Sequence, residues 1–299
     1  MQLQQAKREQ VKLRIGLSGA SGFGKTYSAL LLAYGMTGDY SKIAIIDTEN
    51  QSASLYANLG NYNILSLDAP YSPERYIEAI TTCEKAGMEV IIVDSISHEW
   101  NGQGGCLEIH EQLGGRFQDW AKVTPRHQAF IDKILQSKCH IITTTRRKVD
   151  YSLDTIQNGK TRVVKHGTKE ITREGYEYEL TVNFELINEN HITKASKDRT
   201  GLFMNKPEFV INKATGKKLM DWCSNSKDLE QAKKEIEVCK TVEGLRHIYT
   251  KYPNHKTAIL DEIMQRKADI ESTSLSIVPN TEIIEQQKNN DNGTEPNTE

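Results

Sequence analysis

The feature of this sequence that most limits its fold is a glycine-rich run that ends in lysine and threonine. A segment typical of a β-strand (11–19) leads into the run, and a segment typical of a helix (25–36) follows it. Glycine allows backbone N–H groups to curl around phosphate oxygens, and the N-terminus of a helix favours the same anions. The Gly-x-x-x-x-Gly-Lys-Ser/Thr spacing therefore predicts a phosphate-binding loop made of Gly19, Ala20, Ser21, Gly22, Phe23, Gly24, Lys25 and Thr26.

Short apolar runs alternate with helical patterns over the first half of the chain. Residues 43–46 and 90–93 are each four apolar residues long, which is typical of strands covered on both faces. Segments 72–87 and 124–138 have helix-start signals and helical patterns. This alternation predicts an α/β fold with a mostly parallel central sheet flanked by helices, followed by a small C-terminal helical appendage.

Four finer expectations concern the arrangement of these elements. The strand 43–47 should lie beside the strand that precedes the phosphate loop. A helix should begin at 124, with Pro125 in its first turn. An Asn-Gly pair within 150–167 predicts a hairpin, and the pattern of 177–187 predicts a further strand of the sheet.

Acidic residues at strand ends are candidates for metal binding and catalysis. Lys25 should neutralise the β- and γ-phosphates of ATP, and the Thr26 hydroxyl should bind Mg²⁺ together with Asp94, which ends a buried strand. The alternative for Asp94 is a carboxylate that only caps a turn. Residue 95 is serine, so the carboxylate that orients the attacking water must come from elsewhere. Glu49 is the candidate, the alternative being a solvent-exposed loop residue.

Segment 43–60, IAIIDTENQSASLYANLG, resembles the part of the RecA-like recombinase ATPases that carries the catalytic glutamate. The resemblance implies a RecA-like P-loop NTPase core in which Glu49 activates water and Tyr56 stacks on adenine; packing of Tyr56 on the core is the alternative. It also implies that Thr144 occupies the position of a glutamine that senses the γ-phosphate.

The segment Ser196-Lys-Asp-Arg-Thr-Gly201 resembles the Lys-x-Arg-x-Gly signature of RadA and the DnaB-type hexameric helicases. That resemblance implies that Lys197 and Arg199 reach the ATP of a neighbouring subunit, so the active form would be a homo-oligomeric ring or filament. The alternative is a basic β-turn. Over residues 11–205 the chain also resembles phage-encoded RecA-like ATPases, a group with single-strand annealing and recombination proteins.

Basic residues are concentrated between 146 and 173. Eight lysines and arginines there oppose three acids, in a chain whose formal net charge is −2. Basic side chains on a hairpin suit contacts with the phosphates of single-stranded DNA, and the segment corresponds to the second DNA-binding loop of RecA proteins. The alternative is a solvated hairpin used in subunit contacts. The DNA-binding candidates are Arg146, Arg147, Lys148, Lys160, Arg162 and Lys165.

Composition limits the compartment and the domain organisation. Five cysteines without Cys-x-x-Cys spacing argue against a disulfide framework or a zinc site, and no apolar stretch reaches the length of a membrane span. We therefore expect a cytoplasmic protein (host cytoplasm if phage-encoded) that does not contact membranes. We expect an N-terminal extension at 1–10, an ATPase domain at 11–222, a helical appendage at 223–271 and a disordered acidic tail at 272–299 that either solubilises the chain or recruits a partner.

The favoured hypothesis is a DNA-dependent ATPase that uses ATP and Mg²⁺ in phage-type recombination, annealing or replication. Two alternatives remain open. One is a nucleotide-driven motor of the helicase or packaging type, and the other is a nucleotide-gated scaffold that hydrolyses little ATP.

Overall fold

The chain is described here from a computed structural model, which covers residues 11–155 and 161–275. Inter-residue contacts divide the chain at Ser224 into two units. The strands are Arg14–Gly19 (β1), Ile43–Asp47 (β2), Asn63–Ser66 (β3), Val90–Asp94 (β4), His140–Thr155 (β5), Thr161–Glu170 (β6), Val182–Leu186 (β7), Ile192–Asp198 (β8) and Phe209–Val210 (β9). The α-helices are Lys25–Thr37 (α1), Pro73–Lys85 (α2), Ser97–Asn101 (α3), Cys106–Gln112 (α4), Trp120–Gln136 (α5), Tyr176–Glu179 (α6), Lys213–Val238 (α7), Val242–Lys251 (α8) and Lys256–Leu275 (α9).

Within the described residues the strands form one mixed sheet in the order β3-β2-β4-β5-β1-β7-β8-β9, with β6 paired to β5. The strands from β3 to β7 in this order are parallel, and β6, β8 and β9 join antiparallel to their neighbours. The predicted α/β class with a mostly parallel sheet is confirmed. Because the carboxyl ends of parallel strands meet at one edge, the loops after β1, β2 and β4 come together.

The expectation that β2 neighbours the phosphate-loop strand is wrong. β1 lies between β5 and β7, and two strands, β5 and β4, separate it from β2. The reason is that β5, although late in sequence, pairs with β1 on one side and with β4 on the other. Arg146 of β5, which pairs with Gly19, therefore lies at the same sheet edge as the phosphate loop.

Apolar layers cover both faces of the sheet. On one face, α1 and the start of α7 pack over β1 and β2, with Leu30 and Leu219 fully buried. The backbones of these helices approach so closely that a Cβ on Gly35 would lie 2.0 Å from the carbonyl oxygen of Lys213. On the other face, α2 and α5 bury side chains such as Tyr76 and Phe130. These two layers fix the positions of the strand ends.

Two element boundaries differ from the sequence expectations. Helix α5 begins at Trp120, so Pro125 lies inside it, and the Asp119 carboxylate accepts a bond from the N–H of Arg116 just before the helix. Segment 177–187 is not one strand: residues Tyr176–Glu179 form a short helix and only Val182–Leu186 form β7. Gly175 starts that helix in the left-handed region, with φ of 93°.

The predicted hairpin is formed by β5 and β6. The pairing runs from Arg147 opposite Glu170 to Thr155 opposite Thr161, with a register shift between Asp150 and Tyr151. We call these paired residues, 147–155 and 161–170, the arm. The Asn-Gly pair and Lys160 lie outside the described residues.

The unit that begins at Asn225 has an apolar cluster of its own. Ala232 and Ile236 of α7 pack with Leu245 and Ile248 of α8 and with Ile259 of α9. Residues 276–299, most of the segment expected to be a disordered tail, lie outside the described part. Among the described helices, none combines the length and the apolar composition needed to cross a membrane.

Candidate active site

The phosphate loop connects β1 to α1 and bends around the side chain of Lys25. Gly22 and Gly24 have φ of 83° and 86°, a region that glycine enters without steric cost. The Lys25 ammonium donates to the carbonyl oxygens of Gly19 and Ala20, at 3.1 and 2.9 Å. The first turn of α1 leaves N–H groups without helical acceptors, so the loop offers donors and a cation to an anion.

Thr26 and Asp94, the predicted metal ligands, meet at hydrogen-bond distance. The Thr26 hydroxyl donates to Asp94 Oδ2 at 2.5 Å, although the two residues are far apart in sequence. Asp94 ends β4 and is 2% exposed, and this burial raises the pKa of its carboxyl group. A hydroxyl and a carboxylate are the hard oxygen ligands that Mg²⁺ prefers, so the donor set fits that ion.

Thr144 lies behind this pair. Its hydroxyl is buried and donates to Asp94 Oδ1. In this structure Thr144 therefore holds the carboxylate of Asp94, and its assigned role as a γ-phosphate sensor stays a prediction.

Glu49 reaches the same place from the loop after β2. Asp47 shapes that loop by accepting bonds from the N–H groups of Glu49 and Ala53, at 2.7 and 2.8 Å. The Glu49 carboxylate accepts a bond from the Ser95 hydroxyl at 3.2 Å. It also forms a bidentate ion pair with Arg146, whose Nε lies 2.9 Å from Oε1 and whose Nη2 bonds to Oε2. Arg146 thus lies at the site, on the strand that continues into the arm.

The four charged groups of this site influence one another. Burial lowers the pKa of Lys25; Asp94 and Glu49 oppose that shift, and Arg146 reinforces it. Since two cations and two carboxylates lie together, the site is close to electrically balanced before any ligand enters it.

These residues line a cavity of about 460 Å³. Tyr56 lines it too, on a 3₁₀ segment, with its ring centroid 5.6 Å from that of Tyr27. Tyr27 and His191 are lining residues that the sequence analysis missed. A phosphate-binding loop, two metal-ligand candidates, a carboxylate and an aromatic pair therefore share one cavity.

Lys197 and Arg199 lie elsewhere. They are at the end of β8 and just after it, and both donate to the carbonyl oxygen of Tyr178. Asp198 fixes the turn by accepting bonds from the N–H groups of Thr200 and Phe203. Neither basic residue is among those that line the cavity of its own chain.

Of the remaining DNA-binding candidates, Lys160 lies outside the described residues and the other four lie in the arm. Arg147 is largely enclosed, with its guanidinium within 3.6 Å of Glu170 and 3.5 Å of Glu185. Lys148 is exposed. The backbones of Arg162 and Lys165 belong to β6, opposite Asp154 and Tyr151.

A second polar cluster lies next to the site, on α3 to α5. Glu99, Cys106 and His127 are buried, with His127 Nδ1 at 3.0 Å and Cys106 Sγ at 3.1 Å from Glu99 Oε1. Sequence spacing gave no sign of this cluster, whose bonds link the three helices that follow β4.

A family model described as an AAA domain matches residues 11–239, which is most of the chain. No curated protein matches the chain. The matched range includes every residue that lines the cavity.

Proposed function

This chain belongs to the AAA-domain family, and from that premise we propose that it is an ATPase that binds and hydrolyses Mg-ATP in the cavity around Lys25. Membership of such a family implies nucleotide binding. The observation that carries the proposal is the meeting of Lys25, the Thr26–Asp94 pair and Glu49 at one sheet edge.

Each residue then has a definite task. The loop N–H groups and Lys25 hold the phosphates, and Thr26 and Asp94 hold Mg²⁺. Glu49 orients the attacking water and takes up its proton. Mg-ATP, when bound, supplies the phosphoryl group and the cation that offsets the charge of the phosphates. Tyr56 packs against the base.

The finer proposal is that the protein is a RecA-like, phage-type ATPase that acts on single-stranded DNA. Three features support it: the excess of basic residues in 146–173, the Lys-x-Arg-x-Gly turn, and the position of Arg146. Lys197 and Arg199 do not line the cavity of their own chain, and we infer that they act in the cavity of a neighbouring copy, where phosphate oxygens replace the Tyr178 carbonyl oxygen as their acceptors. The active form would then be a homo-oligomer.

A second candidate function is a nucleotide-gated scaffold with little hydrolysis. The observation that favours it is the Glu49–Arg146 ion pair, since a carboxylate whose two oxygens are held by a guanidinium is not free to orient a water molecule. If the protein is such a scaffold, the ion pair between Glu49 and Arg146 would persist after ATP binds.

The deciding experiment measures Mg-ATP affinity and turnover with and without single-stranded DNA, with light scattering to size the assembly. We expect micromolar affinity, turnover that rises with DNA, and loss of both affinity and turnover in Lys25→Ala. A Lys25→Ala variant that binds and hydrolyses like the parent would overturn the proposal. Affinity without turnover, with or without DNA, would favour the scaffold.

A further inference from the structure

His191 is a cavity residue to which neither the sequence nor the family assigns a role. It lies in the turn between β7 and β8, and it reaches the phosphate loop because β7 pairs with β1. His191 Nδ1 lies 2.8 Å from the carbonyl oxygen of Phe23. Since a carbonyl can only accept, Nδ1 carries the proton of this bond.

The ring also packs directly on the loop backbone. A Cβ placed on Gly24 would lie 2.5 Å from His191 Nδ1, so no larger residue fits at position 24 while the ring stays there. Gly24 is the residue before α1, at the end of the loop where the helix N–H groups emerge. The imidazole is therefore held beside the groups that would bind phosphate.

The turn holds His191 in an unfavourable backbone conformation. His191 has φ of 60°, a region that residues other than glycine occupy at some cost. Asn188 stabilises the turn through its side-chain oxygen, which accepts from the N–H groups of Asn190 and Ile192 at 3.1 and 3.2 Å. Its backbone carbonyl oxygen accepts from the N–H of His191. Strain maintained by several bonds at a cavity is typical of residues with a functional task.

We propose that His191 is a nucleotide-binding residue that acts as an imidazolium when the ligand is bound: Nδ1–H donates to the Phe23 carbonyl oxygen and fixes the phosphate loop, and Nε2–H donates to an oxygen of the polyphosphate. This inference rests on the proposed nucleotide site and adds a ligand contact to it. The class of ligand is a polyphosphate, because the ring lies against Gly24, where the loop ends and α1 begins.

Two substitutions separate the two nitrogens. His191→Asn keeps a donor near the position of Nδ1, and asparagine tolerates the left-handed backbone region. It removes Nε2, the nitrogen proposed to contact the polyphosphate. His191→Gln carries its amide farther out, near the place of Nε2. Calorimetric titration with Mg-ATP and with Mg-tripolyphosphate, beside thermal melting, measures both effects.

We expect His191→Asn to melt no lower than the parent, yet to bind both ligands about tenfold more weakly. His191→Gln should recover part of the affinity. The control His247→Asn, which changes an exposed histidine far along the chain, should bind like the parent.

His191→Asn with the parent's affinity would overturn the inference, because the ring would then serve only the loop backbone. If His191→Asn bound Mg-ATP more weakly but Mg-tripolyphosphate as well as the parent does, the inference would also be overturned, because His191 would then contact the nucleoside. A parent without Mg-ATP affinity would instead contradict the proposed function, which separates the two failures.

Discussion

Glu49 is the residue on which the enzymatic proposal depends most. Its carboxylate lies in the cavity and is bound by Ser95 and Arg146. In Glu49→Gln an amide replaces the proton acceptor, so we expect turnover to fall about a hundredfold or more while Mg-ATP affinity changes little. Steady-state phosphate release and calorimetry check this. The surface variant Glu89→Gln is the control, and equal turnover in Glu49→Gln and the parent would rule out the assigned role.

Arg146 links that carboxylate to the arm. If the ion pair restrains Glu49 until DNA engages the arm, Arg146→Ala should raise turnover measured without DNA and shrink the stimulation by DNA toward none. The exposed neighbour Lys148 offers a contrast, since Lys148→Ala should weaken DNA binding and leave turnover without DNA unchanged. The ratio of rates with and without single-stranded DNA measures the effect. An unchanged ratio in Arg146→Ala would show that the pair does not restrain the carboxylate.

Among individual residues, the sequence predicted those that belong to one continuous motif and those that end a buried strand. The phosphate loop is one continuous motif, and Asp94 follows an apolar run, so local pattern was sufficient. Arg146 was predicted as a DNA contact and His191 was missed. Their positions depend on strand pairing across the sheet: Arg146 meets Glu49 from 97 residues away, which no local spacing encodes.

His140, at the start of β5, makes the pairing of β5 with β1 sensitive to pH. It is buried, its Nδ1 accepts a bond from the N–H of Leu13 at 3.0 Å, and burial lowers its pKa from 6.5 to about 4, with smaller effects from Lys12 and Arg14. Between about pH 4 and pH 6.5 the imidazole of His140 therefore binds a proton more readily in the unfolded chain than in the folded one. Stability should be full above about pH 6.5 and fall by about 3 kcal/mol as the pH drops to about 4.

Urea unfolding across that pH range, in the parent and in His140→Asn, measures this contribution. The variant should be less stable than the parent above pH 6.5 because the buried acceptor changes. As the pH drops from about 6.5 to about 4, its free energy of unfolding should fall by about 3 kcal/mol less than that of the parent. His247→Asn, at an exposed position, should follow the parent. Parallel curves for His140→Asn and the parent would contradict the assignment to His140.

Elements buried on both faces were the ones that the sequence predicted best. Every residue of β2 and β4 is buried, as the apolar runs in their sequences predicted. Strand order was not predictable, because each central strand satisfies the same apolar pattern wherever it lies. The alternation in 177–187 resembled one strand, but Tyr176 buries its ring and bonds to Thr143, which favours a helical turn there.

On the scale of the whole molecule, the site belongs to one of the two units. Every cavity-lining residue precedes Ser224, and the family match ends at residue 239. A chain that ends at residue 240 keeps α7 complete and should bind Mg-ATP within about threefold of the full chain, a difference of less than 1 kcal/mol. Calorimetry on both chains tests this, with circular dichroism to verify folding. Loss of affinity in a folded shorter chain would show that later residues contribute to the site.

β5 is a single strand of 16 residues, roughly 50 Å of extended chain. Its first half is hydrogen-bonded between the phosphate-loop strand and the Asp94 strand, and its second half forms the arm. The strand is continuous from Arg146 to Asp150, and the register of its pairing with β6 shifts only after Asp150. A ligand that bound the arm before this shift would therefore pull along one uninterrupted backbone on Arg146 and, through its ion pair, on the Glu49 carboxylate.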